Sequence, residues 1–153
     1  MSEDEKNMRL ALKEALQAYE EGEVPIGAVL VENESGILVC NHNRIEQLQD
    51  ATAHAEILVL REASEKLRRR RLKNCTLYVT VEPCAMCAGA LVLSRVERLV
   101  YGAVDSKFGA AESIFNVVNN PALNHQLKVT AGILENDCLA LMKKFFYEQR
   151  LKI

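Results

Sequence analysis

Two short strings constrain the fold of this chain more than any other feature, because their side chains are suited to meeting around one metal ion. The strings are His54-Ala55-Glu56 and Pro83-Cys84-Ala85-Met86-Cys87. One histidine and two cysteines supply three zinc ligands, one fewer than a closed structural site uses, so a fourth position stays open for water. Glu56 lies two residues from the histidine and is placed to carry protons to and from that water. The fold must therefore bring the two strings together.

Hydrophobic periodicity predicts four helices and five strands. The predicted helices span residues 5–21, 53–67, 84–94 and 136–150, and the predicted strands span 26–31, 37–40, 75–81, 96–101 and 127–130. Gly22 is expected to end the first helix, and Thr52 is expected to cap the second. Residues 43–52 are predicted to be irregular, 102–112 to form a loop, and 114–118 fit either a helix or a strand. This alternation favours an α/β fold, a three-layer α/β/α sandwich around a five-stranded mixed sheet.

The predicted layout explains the ligand spacing. His54 falls at the start of one helix, and Cys84 and Cys87 fall on one side of the first turn of the next. Helix N-termini carry positive potential, which favours thiolate over thiol, and soft sulfur ligands favour zinc over other divalent ions. The alternative is a closed structural zinc with a fourth ligand from His42, His125 or another cysteine. That alternative leaves Glu56 without a role.

Composition bounds the remaining possibilities. The 153 residues are expected to form one domain over 1–153. The net charge of −2 argues against a protein that coats nucleic acid through bulk charge. The basic run at 66–73, which includes Arg68 to Arg71, is either a solvated helix end or a phosphate-contacting patch. The chain has no Gly-rich phosphate loop and no dinucleotide fingerprint, so no nucleotide cofactor is expected.

The cysteines and the N-terminus indicate the cellular setting. Cys40, Cys75 and Cys138 are predicted to be small buried apolar residues, and no disulfide framework is expected. The acidic N-terminus has no signal-peptide character, and no apolar stretch is long enough to span a bilayer. These features predict a soluble, cytoplasmic protein without a membrane partner.

The two strings together, in this order and with a proline before the first cysteine, match the signature of zinc-dependent nucleobase deaminases. Over residues 6–150 the chain resembles the bacterial tRNA-specific adenosine deaminases of the cytidine deaminase-like superfamily. The resemblance is carried first by residues 22–29, 42–44, 51–56, 77–90 and 93–95. Segments that narrow it to the tRNA branch are 102–107, 109–110 and 123–125, with Phe145, Phe146 and Arg150 in the last helix.

The resemblance implies a function and a set of site residues. The implied reaction is hydrolytic deamination of adenosine to inosine at the wobble position of a tRNA anticodon, chiefly in an arginine tRNA. One zinc ion per subunit would be held by His54, Cys84 and Cys87, with Glu56 as the proton shuttle. The family is homodimeric and binds the tRNA anticodon stem-loop. The positions that match its substrate contacts are Asn43, Asp105, Lys107, Asn124, Phe145 and Arg150.

Several of these positions have structural alternatives. Asn43 fits a residue that satisfies backbone groups in a turn, and Phe145 fits a core position on an apolar helical stripe. Asp105 and Lys107 fit an ordinary solvated loop pair, and His125 fits a hydrogen-bonded structural histidine. For the whole chain, the competing functions are a zinc deaminase of a free base or nucleoside, such as guanine or cytosine, and a zinc-stabilised RNA-binding subunit without activity.

Overall fold

The computed structural model describes residues 1–36 and 38–152, which form helices and strands in alternation. The helices are α1 (Glu3–Glu20), α2 (Ile45–Leu48), α3 (Ala55–Leu67), α4 (Ala85–Leu93) and α5 (Glu135–Leu151). The strands are β1 (Gly27–Glu32), β2 (Leu38–His42), β3 (Cys75–Val81), β4 (Arg98–Ala103) and β5 (Lys128–Thr130). The predicted four long helices and five strands are confirmed to within a few residues at their ends, and Ile37 lies outside the described residues.

The strands form one mixed sheet in the order β2-β1-β3-β4-β5. Strand β1 pairs antiparallel with β2 and β3, whereas β3, β4 and β5 run parallel. Every residue of the central strand β3 is buried, as expected where helices cover both faces of a sheet. Helix α4 is the crossover between the parallel strands β3 and β4. The predicted five-stranded mixed sheet is confirmed.

Helices cover both faces of the sheet and bury an apolar stripe on each side. On one face α1 buries Met8, Ala11, Ala15 and Ala18 at helical spacing, and α5 packs beside it through Cys138. On the other face, α3 and α4 enclose the larger of the two apolar cores. The predicted α/β/α sandwich is therefore confirmed, and the strings of the candidate metal site lie in the α3–α4 layer.

Local hydrogen bonds fix where α1 begins and ends. Ser2 caps the helix by accepting a hydrogen bond from the Glu5 N–H at 3.1 Å. Asp4 binds both guanidinium NH₂ groups of Arg98, at 2.8 and 2.7 Å, so the first turn is held to β4. The hydrogen bond from Arg98 lowers the pKa of Asp4. At the other end Gly22 adopts a left-handed φ of 79°, which confirms its predicted role at the helix end.

The prediction that Thr52 caps α3 is wrong. Thr52 donates instead to Asp50, from its N–H at 2.8 Å and from its hydroxyl at 2.7 Å. The acceptor at the start of α3 is Asn43, whose Oδ1 receives the Ala55 N–H at 2.8 Å. The side chain that accepts this N–H group therefore belongs to a residue 12 positions before Ala55, and not to the neighbouring Thr52.

The segment 43–52 is not wholly irregular, because the buried carboxylate of Glu23 accepts two N–H groups of α2, from Glu46 at 3.1 Å and Gln47 at 2.8 Å. The ambiguous segment 114–118 forms neither helix nor strand. Cys75 and Cys138 are buried as predicted, but Cys40 is exposed because β2 is an edge strand with incomplete cover. Among the described residues, no helix is long and apolar enough to cross a membrane.

Candidate active site

The candidate site lies where α3 and α4 begin, side by side in one helical layer. His54 is the N-cap residue of α3 and Cys84 is the N-cap residue of α4, with Cys87 in the following turn. Neither residue makes a side-chain capping hydrogen bond, and the Cys84 thiol contacts the His54 ring instead. The two helix starts place both strings in one spot, as the sequence predicted.

The three candidate ligand side chains converge on one point. The Sγ atoms of Cys84 and Cys87 lie 3.6 and 3.5 Å from His54 Nδ1, and all three atoms lie within 4.8 Å of one another. A tetrahedral zinc with Zn–S near 2.3 Å and Zn–N near 2.05 Å separates sulfur from nitrogen by about 3.5 Å. The side chains are therefore spaced as zinc ligands are, and within the described part of the chain no fourth histidine, cysteine or carboxylate joins the group.

The protonation of this group suits a cation. Hydrogen bonds from Cys87 and then from His54 lower the pKa of the Cys84 thiol to about 4, against the opposing effect of burial. The Cys84 thiolate in turn raises the pKa of His54, and the shared hydrogen bond with Cys84, together with burial, raises that of Cys87. The lowered pKa favours the thiolate form of Cys84, which is the form that binds a metal ion.

Glu56 stands beside this group with an unsatisfied oxygen. The residue is 3% exposed, and burial raises the pKa of its carboxyl to about 7. Within the described ranges, Glu56 Oε1 is the one buried side-chain nitrogen or oxygen without a hydrogen-bond partner. An orphaned carboxylate oxygen next to three converging ligands fits a group that takes up and releases protons near neutral pH.

Asn43, a candidate substrate contact, hydrogen-bonds directly to the first residue of the ligand helix α3. It is 3% exposed, and its Oδ1 holds the Ala55 N–H one residue beyond His54. Its structural alternative, a residue that satisfies backbone groups, therefore holds. Because the amide oxygen is engaged, the NH₂ end is the part of the side chain that suits a substrate.

Asp105 and Lys107 lie in the loop after β4. Asp105 Oδ1 accepts the N–H groups of Lys107 at 3.0 Å and Phe108 at 3.1 Å, and the Lys107 side chain is exposed. The Asp105 backbone N–H is held by Glu82, which lies two residues before Cys84. The loop is therefore bonded to the segment that leads into the ligand helix.

The structure does not bring the other three candidates into contact with the ligand group. Asn124 and Arg150 are exposed, and among the described residues neither hydrogen-bonds to a ligand side chain or to Glu56. Phe145 is 6% exposed and packs edge-on against Tyr19 and Phe146 in the α1–α5 layer. Its core alternative therefore fits better than a free stacking face. His125 bonds to the Val96 carbonyl oxygen at 2.7 Å, which agrees with the structural role.

The basic run lies at the far end of α3 from His54. A helix of 13 residues is about 20 Å long, so Arg68 is separated from the ligands by that distance. Arg69 pairs with Glu32 at 2.9 Å, and the four arginines are exposed. Their position fits the solvated helix end better than a patch at the site.

Glu82 is the functional candidate that sequence reasoning missed. It precedes Pro83 and Cys84 in the ligand string, and its buried carboxylate collects hydrogen bonds from the loop that follows β4. The available signal was a glutamate directly after a strand that the sequence predicts strongly, since a carboxylate carried into the interior needs hydrogen-bond partners.

The fold and the site together define a deaminase. Residues 2–150 match the model of the MafB19-like deaminase family, and the sheet has the cytidine deaminase-like arrangement. Within that class, the chain belongs to the family of tRNA-specific adenosine deaminases. It is 50% identical to the tRNA-specific adenosine deaminase of Bacillus subtilis (strain 168) over 99% of this chain and 94% of that protein. It is 45% identical to the enzyme of the same name from Aquifex aeolicus (strain VF5), over 95% of each chain.

Solved structures agree with this placement. One, from work on A-to-I editing by tRNA:A34 deaminases at the wobble position of transfer RNA, superposes with a TM-score of 0.84. It is 46% identical and covers 89% of this chain and 98% of its own. The guanine deaminase from Nitrosomonas europaea superposes with a TM-score of 0.81 at 28% identity, over 95% of this chain and 85% of its own. Both share the fold, and the sequence is nearer to the tRNA enzyme.

Proposed function

We propose that this protein deaminates adenosine to inosine at the wobble position of a tRNA anticodon, with an arginine tRNA as the expected substrate. The observation that carries the proposal is the buried, partner-free Glu56 oxygen beside three converging zinc-type ligands. The near-full-length identity of 50% to a tRNA-specific adenosine deaminase supports the substrate class. A structural zinc site would have no use for that carboxylate.

We further propose one zinc ion per subunit, held by His54, Cys84 and Cys87. When bound, the ion supplies Lewis acidity that makes water a nucleophile near neutral pH. Glu56 would accept a proton from that water and deliver it to N1 of the adenine ring. Once the hydroxyl has added to C6, the carboxylate would take the remaining hydroxyl proton and pass it to the amino group, which would leave as ammonia while the C6=O bond forms. A group with a pKa of about 7 suits both transfers, because it gains and loses a proton readily at neutral pH.

The RNA would be received by groups around this pocket. The target base must leave its stack before the reaction centre can reach it, and single-stranded loop bases are read by hydrogen bonds and stacking. The Asn43 amide NH₂ suits an acceptor on the nucleoside, and Asp105 and Lys107 suit the flanking nucleotides. Asn124, Phe145 and Arg150 remain assignments by resemblance, and for Phe145 the burial favours a core role.

We also propose a homodimer that works in the cytoplasm, where tRNA is modified. The support is helix α4, which contains no charged residue, although a helix that is apolar all round is normally buried. Its outer side carries Met86, Gly89, Ala90 and Leu93, with Leu93 79% exposed. A second copy of this chain is the partner that the resemblance implies, and it would cover this surface.

The decisive experiment offers the purified zinc-loaded protein three substrates: an arginine anticodon stem-loop, free guanine and cytidine. Inosine formed only in the RNA is the expected result. Xanthine or uridine formed while the RNA stays intact would show a free-base or nucleoside deaminase instead. No product from any substrate, with zinc bound, would favour the RNA-binding subunit.

A further inference from the structure

Glu82 holds the loop after β4 by an unusual number of hydrogen bonds. The residue is 3% exposed, and among the described residues its carboxylate accepts hydrogen bonds from donors in residues 105–113. Its Oε1 accepts from the Asp105 N–H at 3.0 Å and from the Ser113 hydroxyl, and its Oε2 accepts from the N–H groups of Ala111 at 3.1 Å, Glu112 at 2.8 Å and Ser113 at 2.9 Å. Both ends of the loop are thus bonded to one carboxylate.

Backbone contacts fasten the same loop to the ligand string. The Glu82 N–H donates to the Ala103 carbonyl oxygen at 2.8 Å, and the Ala110 N–H donates to the Pro83 carbonyl oxygen at 2.8 Å. Gly109 packs so closely that an added Cβ would lie 2.4 Å from Glu82 Cδ and 2.5 Å from the Asp105 carbonyl oxygen. The loop is therefore folded tightly around the carboxylate, next to Cys84.

The outer side of the loop carries groups suited to nucleic acid. Asp105 accepts the Phe108 N–H at 3.1 Å, and the Phe108 side chain is 66% exposed. Phe115, at the other end of the loop, is 53% exposed. Aromatic faces stack on bases, and a carboxylate accepts hydrogen bonds from ribose hydroxyls.

We infer that Glu82 is a positioning residue for substrate binding: it fixes the loop against the ligand helix so that Asp105 and Phe108 face the nucleotides that flank the target base. Glu82 itself is buried under the loop and does not touch RNA. The inference rests on the proposed function, because only a polynucleotide has flanking nucleotides to bind.

The Glu82→Gln variant tests whether the hydrogen bonds of Glu82, and not only the size of its side chain, hold the loop in place. All five groups around the carboxylate act as donors, so an amide cannot satisfy them all. With its oxygen toward the three N–H groups of residues 111–113, its NH₂ faces Asp105. The Ser113 hydroxyl can turn to accept, but the Asp105 N–H cannot. The variant therefore releases Asp105 while it keeps the volume of the side chain.

In steady-state assays with the anticodon stem-loop, Glu82→Gln should raise KM roughly ten-fold or more, the effect of losing about one hydrogen bond to a charged group. The kcat value and the zinc content should stay within about two-fold of wild type, because the reacting groups are untouched. In Gly109→Ala the added methyl group would push the loop away from Glu82. This variant should likewise raise KM and leave kcat and zinc content nearly unchanged. Hydrogen exchange at the Asp105 amide should speed up in Glu82→Gln even without zinc or RNA.

The matched control is Asp4→Asn. Asp4 is also a carboxylate with several hydrogen bonds, but it joins α1 to β4 on the other face of the sheet. The Asp4→Asn substitution should lower Tm and leave the KM for the stem-loop unchanged. A double variant, Glu82→Gln with Asp105→Ala, should lose no more affinity than the larger single effect, because one residue acts through the other.

Three results would overturn the inference: an unchanged KM in both loop variants, a loss of zinc in Glu82→Gln, or additive effects in the double variant. Failure of the proposed function looks different. In that case the wild-type protein leaves the stem-loop intact, and the variants keep the wild-type rate on a free base.

Discussion

At the scale of single residues, Glu56 is the side chain whose environment departs most from that of an ordinary glutamate. It is buried, it has an oxygen without a partner, and its pKa is raised to about 7. Burial of an ionisable group normally lowers stability unless the group is paired. A buried glutamate without a partner for one oxygen is therefore typical of a residue that takes part in catalysis.

The Glu56→Gln variant should keep its fold and its zinc and lose at least about a thousand-fold in kcat, because an amide cannot shuttle protons. Turnover of the stem-loop, zinc content and the circular dichroism spectrum check this expectation. Glu65→Gln, an exposed glutamate at the other end of α3, is the control and should be fully active. Near-normal turnover in Glu56→Gln would contradict the shuttle role.

The raised pKa of Glu56 also predicts how the stability of the metal-free chain depends on pH. Folding favours the protonated carboxyl, so its contribution is complete below the ordinary value of 4.5 and is lost as pH rises through about 7. Between pH 5 and 8, wild type should therefore lose up to about 3 kcal/mol of unfolding free energy relative to Glu56→Gln. Urea titrations of both proteins in chelator test this, and parallel pH profiles would refute it.

Replacing Cys87 should remove metal and stability together. In Cys87→Ala one of three ligands is lost, and because metal binding is coupled to folding, both zinc content and Tm should fall. Cys75→Ala is the matched control, a buried cysteine in β3 outside the ligand group. Full zinc occupancy in Cys87→Ala would rule out the ligand set, and chelator should lower the Tm of wild type and Cys75→Ala but barely change that of Cys87→Ala.

For single residues, the sequence predicted positions well where only a few residue types can perform the chemistry. His54, Cys84 and Cys87 converge as predicted, because their spacing has few explanations besides a metal. It was a poor guide for Cys40, since a cysteine fits many places and only the packing of distant segments decides its exposure. For Phe145 the sequence left two roles open, and the burial of the side chain favours the core position. The role of Glu82 depends on loop residues 23 to 31 positions away, which no local pattern reveals.

At the scale of elements, side chains from distant positions join helices to strands. His42 in β2 is 1% exposed and contacts Glu14 of α1 at 2.9 Å and Glu21 at the end of that helix at 2.8 Å. Its two ring nitrogens thus connect an edge strand to α1 at two points. The same strand leads directly to Asn43, so the position of α1 influences the site.

We expect His42→Ala to lower the free energy of unfolding by about 2–4 kcal/mol, because it opens a cavity and leaves two carboxylates without their partner. Chemical denaturation measures the loss. His125→Ala, which removes one contact with a backbone oxygen, should cost less and serves as the control. Equal losses in the two variants would contradict the bridging role.

Element boundaries followed from sequence where the signals were local. Gly22 ends α1 as predicted, because glycine readily adopts the left-handed φ that follows a helix. The residue that caps the start of α3 was not predicted correctly, because the hydrogen-bond acceptor is the distant Asn43 and not the neighbouring Thr52. The short helix α2 was also missed, since four residues held by Glu23 carry no periodic pattern.

At the scale of the whole molecule, the surface of α4 stands out. Met86, Ala90 and Leu93 form an uncharged strip on the layer that also carries the ligands, and a Cβ at Gly89 would meet nothing within 4 Å. The sandwich could be predicted from the alternation of helices and strands in the sequence. The exposure of this strip could not, because α4 is apolar on all sides and only the packed structure shows which side faces the core.

We predict that Leu93→Glu converts a dimer into a monomer. A buried charge in an apolar contact is costly, whereas the same change on a solvated helix is tolerated. Sedimentation velocity should show a dimer for wild type and a monomer for the variant. Leu16→Glu, an exposed leucine on α1 in the opposite layer, is the control and should remain dimeric. A monomeric wild type, or a dimeric Leu93→Glu, would refute the assignment.

The hydrogen bond between Asn43 and Ala55 has a consequence for efforts to change which nucleosides this enzyme accepts. Residue 43 is a candidate position to randomise, yet its side chain also anchors the start of α3, next to the proposed metal ligand His54. Selections at this position would discard many candidates for poor metal retention before their specificity was ever tested. Libraries restricted to side chains that keep an acceptor at Oδ1, such as aspartate, would sample new substrates while preserving the anchor.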